Sequence, residues 1–300
     1  MIAIKIDGLT KSYGGVKAVD DLSMEVEENT ICGFLGPNGA GKTTTFRLMA
    51  NLIGRDAGEI EILGEKVEGN KQSRNLRFLQ DVPELYGYMT AYEYLQFICE
   101  LNHLGGIDGR VKETLSLVGL SDAKNKRIGG FSRGMKQRMG IAASVIPKPK
   151  VLLLDEPISA LDPIGRKEIF DLMAKLRGKM TIMFSTHIID DIERVSDKVV
   201  IINKGKKVAD GTVAELEGYY LTNMVELKFA NTKEKSRFMK TFGPDDVKDE
   251  KDSDTVRFKM VDLETEQKIF RLLASEKIQI LGFNVVMPTL EEIFIEEVAK

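Results

Sequence analysis

The chain has 300 residues, of which 43% are hydrophobic and 30% charged, and its net charge at pH 7 is −3. This balance predicts a globular protein of one large or two modest domains, and the slightly acidic charge argues against a nucleic-acid partner. No apolar run reaches the ~18 residues of a membrane-spanning helix. The first seven residues alternate as a strand does, unlike a signal peptide. The two cysteines, Cys32 and Cys99, lack the spacing of a metal site and are compatible with a reducing cytosol.

A phosphate-binding loop, GxxxxGK[ST], follows a short apolar strand predicted at Ile31–Leu35. Its glycines let backbone N–H groups point at phosphate oxygens, its lysine reaches the terminal phosphates, and its threonine hydroxyl binds Mg²⁺. An ordinary glycine turn is disfavoured because an apolar helical stripe follows at positions 46, 49, 50 and 53. The candidate nucleotide ligands here are Gly36, Pro37, Asn38, Gly39, Ala40, Gly41, Lys42, Thr43 and Thr44.

Three further apolar runs, at 151–154, 181–184 and 198–202, are typical of parallel strands buried on both faces. They predict an α/β layered core. The stretch from about 91 to 146 has mostly helical patterns and predicts a helical insertion. Residues 205–211 predict a hairpin that closes this domain.

A second, smaller unit is predicted after about residue 218. Alternating strands are expected at 225–229 and 256–260, an exposed charged loop at 245–254, a helix at 261–275 and a strand at 278–286. A last helix has four apolar side chains on one face: Leu290, Ile293, Phe294 and Val298. We expect an α+β accessory domain over 218–300, which either covers core surface or has a regulatory or dimer-contact role.

Two adjacent carboxylates, Asp155 and Glu156, follow the strand at 151–154 and precede a proline. A carboxylate at the end of a buried strand is placed to hold Mg²⁺ through water. Glu156 is then placed to orient and deprotonate a water molecule beside the γ-phosphate. The alternative is an exposed acidic turn.

These motifs, in this order, resemble the ATP-binding subunit of ABC transporters over about residues 1–211. The resemblance implies that Tyr13 stacks on adenine, that Asp162 belongs to a loop that crosses a dimer interface beside the nucleotide, and that His187 contacts the γ-phosphate. Without their position relative to the other family motifs, Tyr13 and His187 would be interpreted as core residues.

Two segments depart from the family pattern. The signature, usually Leu-Ser-Gly-Gly-Gln, is Phe-Ser-Arg-Gly-Met at 131–135, which keeps Ser132 and Gly134. Ser132 can cap a helix whose dipole faces a phosphate, and Gly134 permits close backbone approach. This form is similar to the signatures of bacterial export ATPases of the bacitracin-resistance type. The second segment, residues 78–86, corresponds to the family's lid loop. Alignment on Leu85-Tyr86 and Met89-Thr90 puts Asp81 where the family has a Mg²⁺-contacting glutamine, and Gln80, one residue earlier, is the alternative.

The resemblance implies a P-loop ATPase fold with an ATP-binding domain over 1–217, a helical subdomain at about 86–148, and ATP and Mg²⁺ as cofactors. The implied catalytic residues are Lys42, Glu156 and His187, and the implied metal ligands are Thr43, Asp155 and Asp81 or Gln80.

The implied partners are a second copy, arranged head to tail around two nucleotides, and a separate membrane permease of the ABC-2 export type. The chain would then lie in the cytoplasm at the inner face of the membrane. Tyr88, Met89, Tyr92 and Tyr94 either line the permease groove or pack helices. The alternative function is a soluble ABC-type ATPase without a transport role. Neither reading identifies a cargo.

Overall fold

A computed structural model describes residues 1–69, 73–219, 224–242, 247–249, 254–259, 263–285 and 290–299. Contacts within the chain divide it into two compact units, Met1–Val213 and Ala214–Lys300. The strands are β1 (Ile2–Tyr13), β2 (Val16–Glu27), β3 (Ile31–Leu35), β4 (Ala57–Ile62), β5 (Glu65–Lys66), β6 (Leu76–Leu79), β7 (Val151–Leu154), β8 (Thr181–Thr186), β9 (Lys198–Asn203), β10 (Lys206–Gly211), β11 (Met224–Phe229), β12 (Val247–Asp249), β13 (Thr255–Lys259) and β14 (Ile280–Val285). The helices are α1 (Lys42–Met49), α2 (Ala91–Leu101), α3 (Ile107–Leu117), α4 (Arg133–Val145), α5 (Pro163–Leu176), α6 (Ile189–Val195), α7 (Val213–Tyr219), α8 (Thr232–Phe242), α9 (Leu263–Ser275) and α10 (Leu290–Ala299).

The central sheet of the first unit has six strands in the order β10-β9-β3-β8-β7-β6. All pairs are parallel except the terminal β9–β10 hairpin, so the predicted parallel core and closing hairpin are confirmed. Strands β3, β7 and β8 are buried along their whole length, as continuous apolar runs require. Because parallel strands end at the same edge, the loops after β3, β6, β7 and β8 meet there.

A second sheet of four strands, in the order β2-β1-β4-β5, is antiparallel. The sequence indicated only the start of β1. Side chains of one face of this sheet, among them Leu9 and Ile62, are buried in one cluster with Phe34 of β3 and Phe46 of α1. The helix α1 is therefore part of the core that joins the two sheets.

Helix α1 is shorter than the predicted stripe. It ends at Met49, because Asn51 adopts a left-handed conformation with φ 55° that breaks the helix. Ile53 lies beyond the helix and still packs against the core from the following loop. The apolar pattern therefore located the buried residues correctly but extended the helix too far.

The helical insertion contains α2, α3 and α4. Thr90 and Glu93 form a reciprocal capping box at the start of α2, and Ser132 caps α4 by accepting a hydrogen bond from the Met135 N–H at 3.2 Å. Gly140 lets α4 approach the chain after β6 closely: a Cβ there would lie 2.8 Å from Pro83.

The second unit contains a four-stranded antiparallel sheet in the order β12-β13-β11-β14, and the element order β11-α8-β12-β13-α9-β14 is that of a split βαβ fold. Its core includes Leu227, Phe229, Phe238 and Ile269. The expectation of a loop at 245–254 was wrong for Val247–Asp249, which pairs with β13 as an edge strand. Residues 245–246, 250–253, 260–262 and 286 lie outside the described residues. Among the described residues, we find no helix with both the length and the apolar character needed to cross a bilayer.

Candidate functional site

The phosphate loop joins β3 to α1 and lines a cavity of about 190 Å³. The residues that line the cavity are Ala18, Asn38, Gly39, Gly41, Lys42, Thr43, Thr44 and Glu156. Gly41 has φ 104°, and a Cβ there would lie 2.3 Å from the Ala18 carbonyl oxygen, so only glycine fits. The first N–H groups of α1 lack partners within the helix, so this helix start is suited to an anion.

Lys42 is buried, and its ammonium group is held inside the loop. Nζ donates to the carbonyl oxygens of Gly36 at 2.7 Å and Pro37 at 3.2 Å, and it lies 3.3 Å from Glu156 Oε1. The sequence assigned both Lys42 and Glu156 to the terminal phosphates from positions far apart in the chain. The structure brings the two side chains into one ion pair.

Ser185 connects the two adjacent carboxylate residues. Its hydroxyl donates to Asp155 Oδ1 at 2.6 Å and accepts a hydrogen bond from the Glu156 N–H at 2.8 Å, and Ser185 is fully buried. Glu156 has φ 45°, a strained conformation for a residue with a Cβ. The Ser185 contact helps to hold that conformation. Sequence analysis did not single out Ser185, which lies two residues before His187.

His187 lies beside Glu156. Nδ1 of His187 is 3.1 Å from Oε2 and 3.2 Å from Oε1 of that carboxylate, while the imidazole remains 42% exposed. Lys42 and His187 thus approach the same carboxylate group. The three residues predicted to be catalytic lie together at the edge of the sheet.

The chain on either side of His187 is anchored by a buried carboxylate. Thr186 Oγ1 donates to Asp191 Oδ2 at 3.1 Å and accepts from the Ile188 N–H, and Arg166 Nη2 lies 2.6 Å from Asp191 Oδ1. Burial raises the pKa of Asp191, and the hydrogen bond from Arg166 opposes that rise. Sequence analysis singled out neither Arg166 nor Asp191; their only signal was a charge in the first turn of each helix.

Asp81 and Gln80 follow β6 and differ in their surroundings. Gln80 donates from Nε2 to the Val82 carbonyl oxygen at 3.0 Å. Asp81 Oδ1 is buried and has no hydrogen-bond partner among the described residues. Burial raises the pKa of Asp81; the nearby Arg133 charge lowers it, and the charges of Asp155 and Glu156 raise it further. Asp81 is therefore electrostatically coupled to the carboxylates of the site.

The signature segment and Asp162 line a different cavity, of about 410 Å³, which shares no lining residue with the phosphate-loop cavity. Asp162 caps α5 by accepting from the Gly165 N–H at 2.8 Å, and an added Cβ at Gly134 would lie 3.9 Å from Gly165 Cα. The starts of α4 and α5 are thus side by side. Within one chain, Ser132, Gly134 and Asp162 do not complete the phosphate-loop cavity.

Tyr13 lies at the end of β1 and is 52% exposed. The Lys11 ammonium group lies 5.5 Å from the centroid of its ring. Tyr13 does not line the phosphate-loop cavity, so a base stacked on it would lie outside that cavity. The expected stacking remains a prediction.

A groove of about 670 Å³, which we call the lid groove, lies between α2, α4, β6 and the chain after β6. Of the four residues proposed to line a docking groove, Tyr94 lines this one. Tyr88 is 69% exposed and stacks on Tyr86 at 5.8 Å, and the Tyr92 hydroxyl donates to Asp108.

Comparison with known proteins identifies the first unit. Residues 19–159 match the ABC transporter family. The chain is 44% identical over 226 residues to the uncharacterised ABC transporter ATP-binding protein YxlF of Bacillus subtilis, an alignment that covers 75% of this chain and 76% of the relative. This chain belongs to the ABC transporter ATP-binding proteins. It therefore has the family's α/β P-loop fold, binds ATP and acts as the ATPase of a transporter, and members of this family work with separate membrane permeases.

Two further matches refine the comparison. The chain is 44% identical over 210 residues to the bacitracin transport ATP-binding protein BcrA of Bacillus licheniformis, covering 68% of this chain and 67% of the relative. A solved ATP-binding subunit of an ABC transporter superposes with a TM-score of 0.66 at 26% identity, covering 73% of this chain and 93% of that one. Residues 211–298 match the C-terminal domain of DrrA1-3-like ATP-binding proteins.

Proposed function

We propose that this ABC ATPase drives an exporter of the ABC-2 type, in which two copies close around two ATP molecules and a separate permease carries the cargo. The proposed dimer is supported by one observation: the phosphate loop and the signature segment line separate cavities within one chain. The phosphate loop lines one cavity, and Ser132, Gly134 and Asp162 line another. A second copy placed head to tail would bring the signature of each chain to the phosphate loop of the other.

The roles of the residues follow from the contacts around Glu156. The ammonium group of Lys42 neutralises charge on the terminal phosphates, and His187 donates toward the γ-phosphate. Glu156 orients the attacking water and accepts its proton. The left-handed backbone at Glu156, braced by Ser185, supports this role because strained conformations concentrate at functional sites.

The hard oxygen donors at the site fit Mg²⁺. We assign the ion to the Thr43 hydroxyl, the Asp155 carboxylate and the Asp81 Oδ1 atom, which has no hydrogen-bond partner among the described residues. Gln80 is less favoured because its Nε2 donates to the Val82 carbonyl oxygen and so holds the side chain against its own loop. When bound, Mg²⁺ supplies charge stabilisation to the transferring phosphoryl group. Among the described residues, no group of three or more His, Cys, Asp or Glu side chains forms a metal cage, which suits an ion that shares its ligands with phosphates.

The lid groove is the proposed docking site for the permease. It lies between the helical subdomain, at about 86–148, and the lid loop that holds Asp81, so a segment bound there is close to the proposed Mg²⁺ site.

We also propose that the ATP-binding domain spans 1–217 and the accessory domain 218–300. The export direction is supported by the likeness to the bacitracin transport protein and the DrrA-like C-terminal match. The chain would then lie in the cytoplasm against the permease.

The proposal is tested by light scattering of the Glu156→Gln variant with and without ATP. We expect ATP to convert this variant from monomer to dimer, because binding persists while turnover stops. Two variants made in the same background serve as controls. Lys42→Ala should abolish ATP binding and the dimer, and Ser132→Arg should abolish the dimer alone.

A monomeric Glu156→Gln variant saturated with ATP, or a Ser132→Arg variant that still forms dimers, would contradict the paired arrangement. Copurification of the wild-type chain with a multi-span membrane protein tests the transport role. An active ATPase that is never recovered with such a protein would favour the soluble alternative.

A further inference from the structure

We propose that a pocket of the first unit, which we call the basic pocket, binds an amphiphilic anion: an acidic head group on an apolar body. The pocket has a volume of about 550 Å³ and lies between α3, the end of α4, the end of α5 and the segments that enter β7 and β8. It shares no lining residue with the phosphate-loop cavity, the cavity of the signature segment or the lid groove. Such binding does not depend on the proposed export role.

The basic pocket lies at the edge of the central sheet opposite the nucleotide site. Lys150 directly precedes β7, and Lys179 comes two residues before β8. The two strands start side by side, because Val151 pairs with Thr181 and the Thr181 N–H donates to the Lys150 carbonyl oxygen at 2.8 Å. The carboxylates and the histidine of the nucleotide site follow the other ends of these strands. A ligand in the basic pocket is therefore separate from bound ATP.

The rim of the basic pocket is positively charged. Among the described residues that line it, four are cationic and one is acidic, a net charge of +3 in a chain whose total is −3. The cations are Arg110, Lys148, Lys150 and Lys179, and the carboxylate is Glu113. Lys148 Nζ lies 3.9 Å from Glu113 Oε2, and the pair is weak because the two side chains are 66% and 71% exposed. The rim therefore favours an anion.

Three of the rim cations lack a carboxylate partner. Lys150 and Lys179 form no ion pair within 4 Å among the residues that the structure describes. Arg110 donates from Nε to the Gly105 carbonyl oxygen at 2.8 Å, a neutral acceptor. The C-terminal ends of α4 and α5 contribute about half a negative charge each, which offsets only part of the rim charge. The remaining positive charge is available to an acidic head group.

The inner wall of the basic pocket is apolar. Its side chains include Val145, Ile146, Leu176 and Met180, all of which are buried, and the half-buried Leu117 of α3. The volume falls within the range of about 300–1,000 Å³ that is usual for small organic ligands. An inorganic anion would leave this wall uncovered, and a neutral apolar molecule would leave the cations unpaired. An apolar body with an acidic head satisfies both surfaces.

The turn that carries two of the lysines is rigid before any ligand binds. Pro147 and Pro149 flank Lys148, and each proline ring fixes its own φ angle. Lys148 adopts a left-handed conformation with φ 56°, and its N–H donates to the Val145 carbonyl oxygen at 2.8 Å. A rim that is already ordered loses little conformational entropy when it binds, so this turn supports a binding role.

A fluorescent fatty acid tests the rim. Dansylaminoundecanoate, an apolar chain with a carboxylate head, is titrated into the full chain with ADP and Mg²⁺ present to occupy the nucleotide site. Combining Lys150→Gln with Lys179→Gln should weaken binding about tenfold or more, because the head loses two cationic partners. Combining Lys167→Gln with Lys175→Gln, at exposed α5 lysines outside the pocket, changes the net charge equally and should stay within about twofold.

Two further arms test the space in the pocket and the charge of the ligand. Ser116 is an exposed residue of α3 that lines the pocket, so Ser116→Trp should fill it and weaken binding about tenfold while all four cations remain. The methyl ester of the probe has no charge. It should bind the wild-type chain about tenfold more weakly than the acid, and the paired lysine change should alter its affinity less than about twofold.

Vesicles distinguish a membrane lipid from a soluble ligand. If the chain sediments with phosphatidylglycerol vesicles but not with phosphatidylcholine vesicles, and the Lys150 and Lys179 changes abolish this, the site is supported and its ligand is an anionic lipid. If the chain binds the free probe but sediments with neither vesicle, the site is supported and its ligand is a soluble anion.

Three results would overturn the proposed site. The first is an unchanged probe affinity in both the paired glutamine variant and Ser116→Trp, and Ser116→Trp alone decides if the glutamine variant does not fold. The second is a lowered thermal-unfolding midpoint of the glutamine variant at unchanged affinity, which would assign the two lysines to stabilisation of the helix ends. The third is equal binding of the acid and its ester, which would remove the requirement for an anion.

Discussion

Arg166 and Asp191 form an ion pair with 2.6 Å between Nη2 and Oδ1, in which the Asp191 side chain is only 2% exposed and the Arg166 side chain 32%. The pair joins two helices that start at functional loops. Asp162 caps α5, which carries Arg166, and His187 precedes α6, which carries Asp191. Thr186 donates to the same carboxylate group. The loop that contains Asp162 and the loop that contains His187 are therefore linked inside one chain.

Replacing Asp191 with alanine should destabilise the protein and slow ATP hydrolysis. Removing one partner leaves Arg166 and the Thr186 hydroxyl without their acceptor, and the partial exposure of Arg166 limits the cost to about 2–3 kcal/mol. Urea unfolding measures this loss, and kcat should fall more than the ATP affinity. Asp190→Ala, at an exposed neighbouring carboxylate, is the matched control and should stay within about 0.5 kcal/mol. Equal stability of the two variants would contradict the anchoring role.

Replacing His187 with alanine should lower kcat by about 10²-fold or more while changing ATP affinity less than about threefold. The reason is that its imidazole contacts the Glu156 carboxylate, and we propose that it acts at the γ-phosphate rather than at the base. Steady-state ATPase assays and equilibrium nucleotide binding give the two quantities. His103, the other histidine, is exposed in the turn after α2, so His103→Ala should retain full activity. A His187→Ala variant with wild-type turnover would remove this residue from the mechanism.

Replacing Gly140 with alanine should destabilise the protein by about 1–3 kcal/mol, although alanine favours helices, because the new methyl group would overlap the rigid Pro83 ring. Gly109 in α3 is the matched control, since nothing lies within 4 Å of its Cβ position. There the same change should stabilise the protein by about 0.5–1 kcal/mol. Chemical unfolding of both variants shows whether each change raises or lowers the free energy of unfolding. A stabilising Gly140→Ala change would mean that α4 does not pack tightly on the lid loop.

Neither cysteine should react with iodoacetamide in the folded protein at pH 8. Cys32 and Cys99 are fully buried, and burial raises the pKa of the Cys32 thiol to about 12 and raises that of Cys99. Mass spectrometry should show no addition under native conditions and two additions in denaturant. Because the unfolded Cys32 thiol ionises near pH 9 and the folded one does not, its contribution to stability should decline as the pH rises above 9. Rapid native labelling of Cys32 would contradict its burial.

Much of the site was predictable because its signals are local. The phosphate loop, the carboxylates after β7 and the histidine after β8 each depend on a few neighbouring residues and an apolar strand. The end of α1 was less predictable, because the apolar stripe continues to Ile53 while the backbone at Asn51 turns left-handed. The edge strand β12 was missed for a similar reason: its three residues form a strand only by pairing with β13.

By itself, the sequence determined the family, the α/β core, the phosphate-binding chemistry and the candidate residues of the site, because each depends on the order of residues along a short segment. The tertiary structure alone decided which distant groups meet. Ser185 bridges to Asp155 and Glu156, Arg166 pairs with Asp191, and the antiparallel sheet closes over α1. These contacts join residues far apart in the chain, and only the packing of strands and helices around a shared core brings them together.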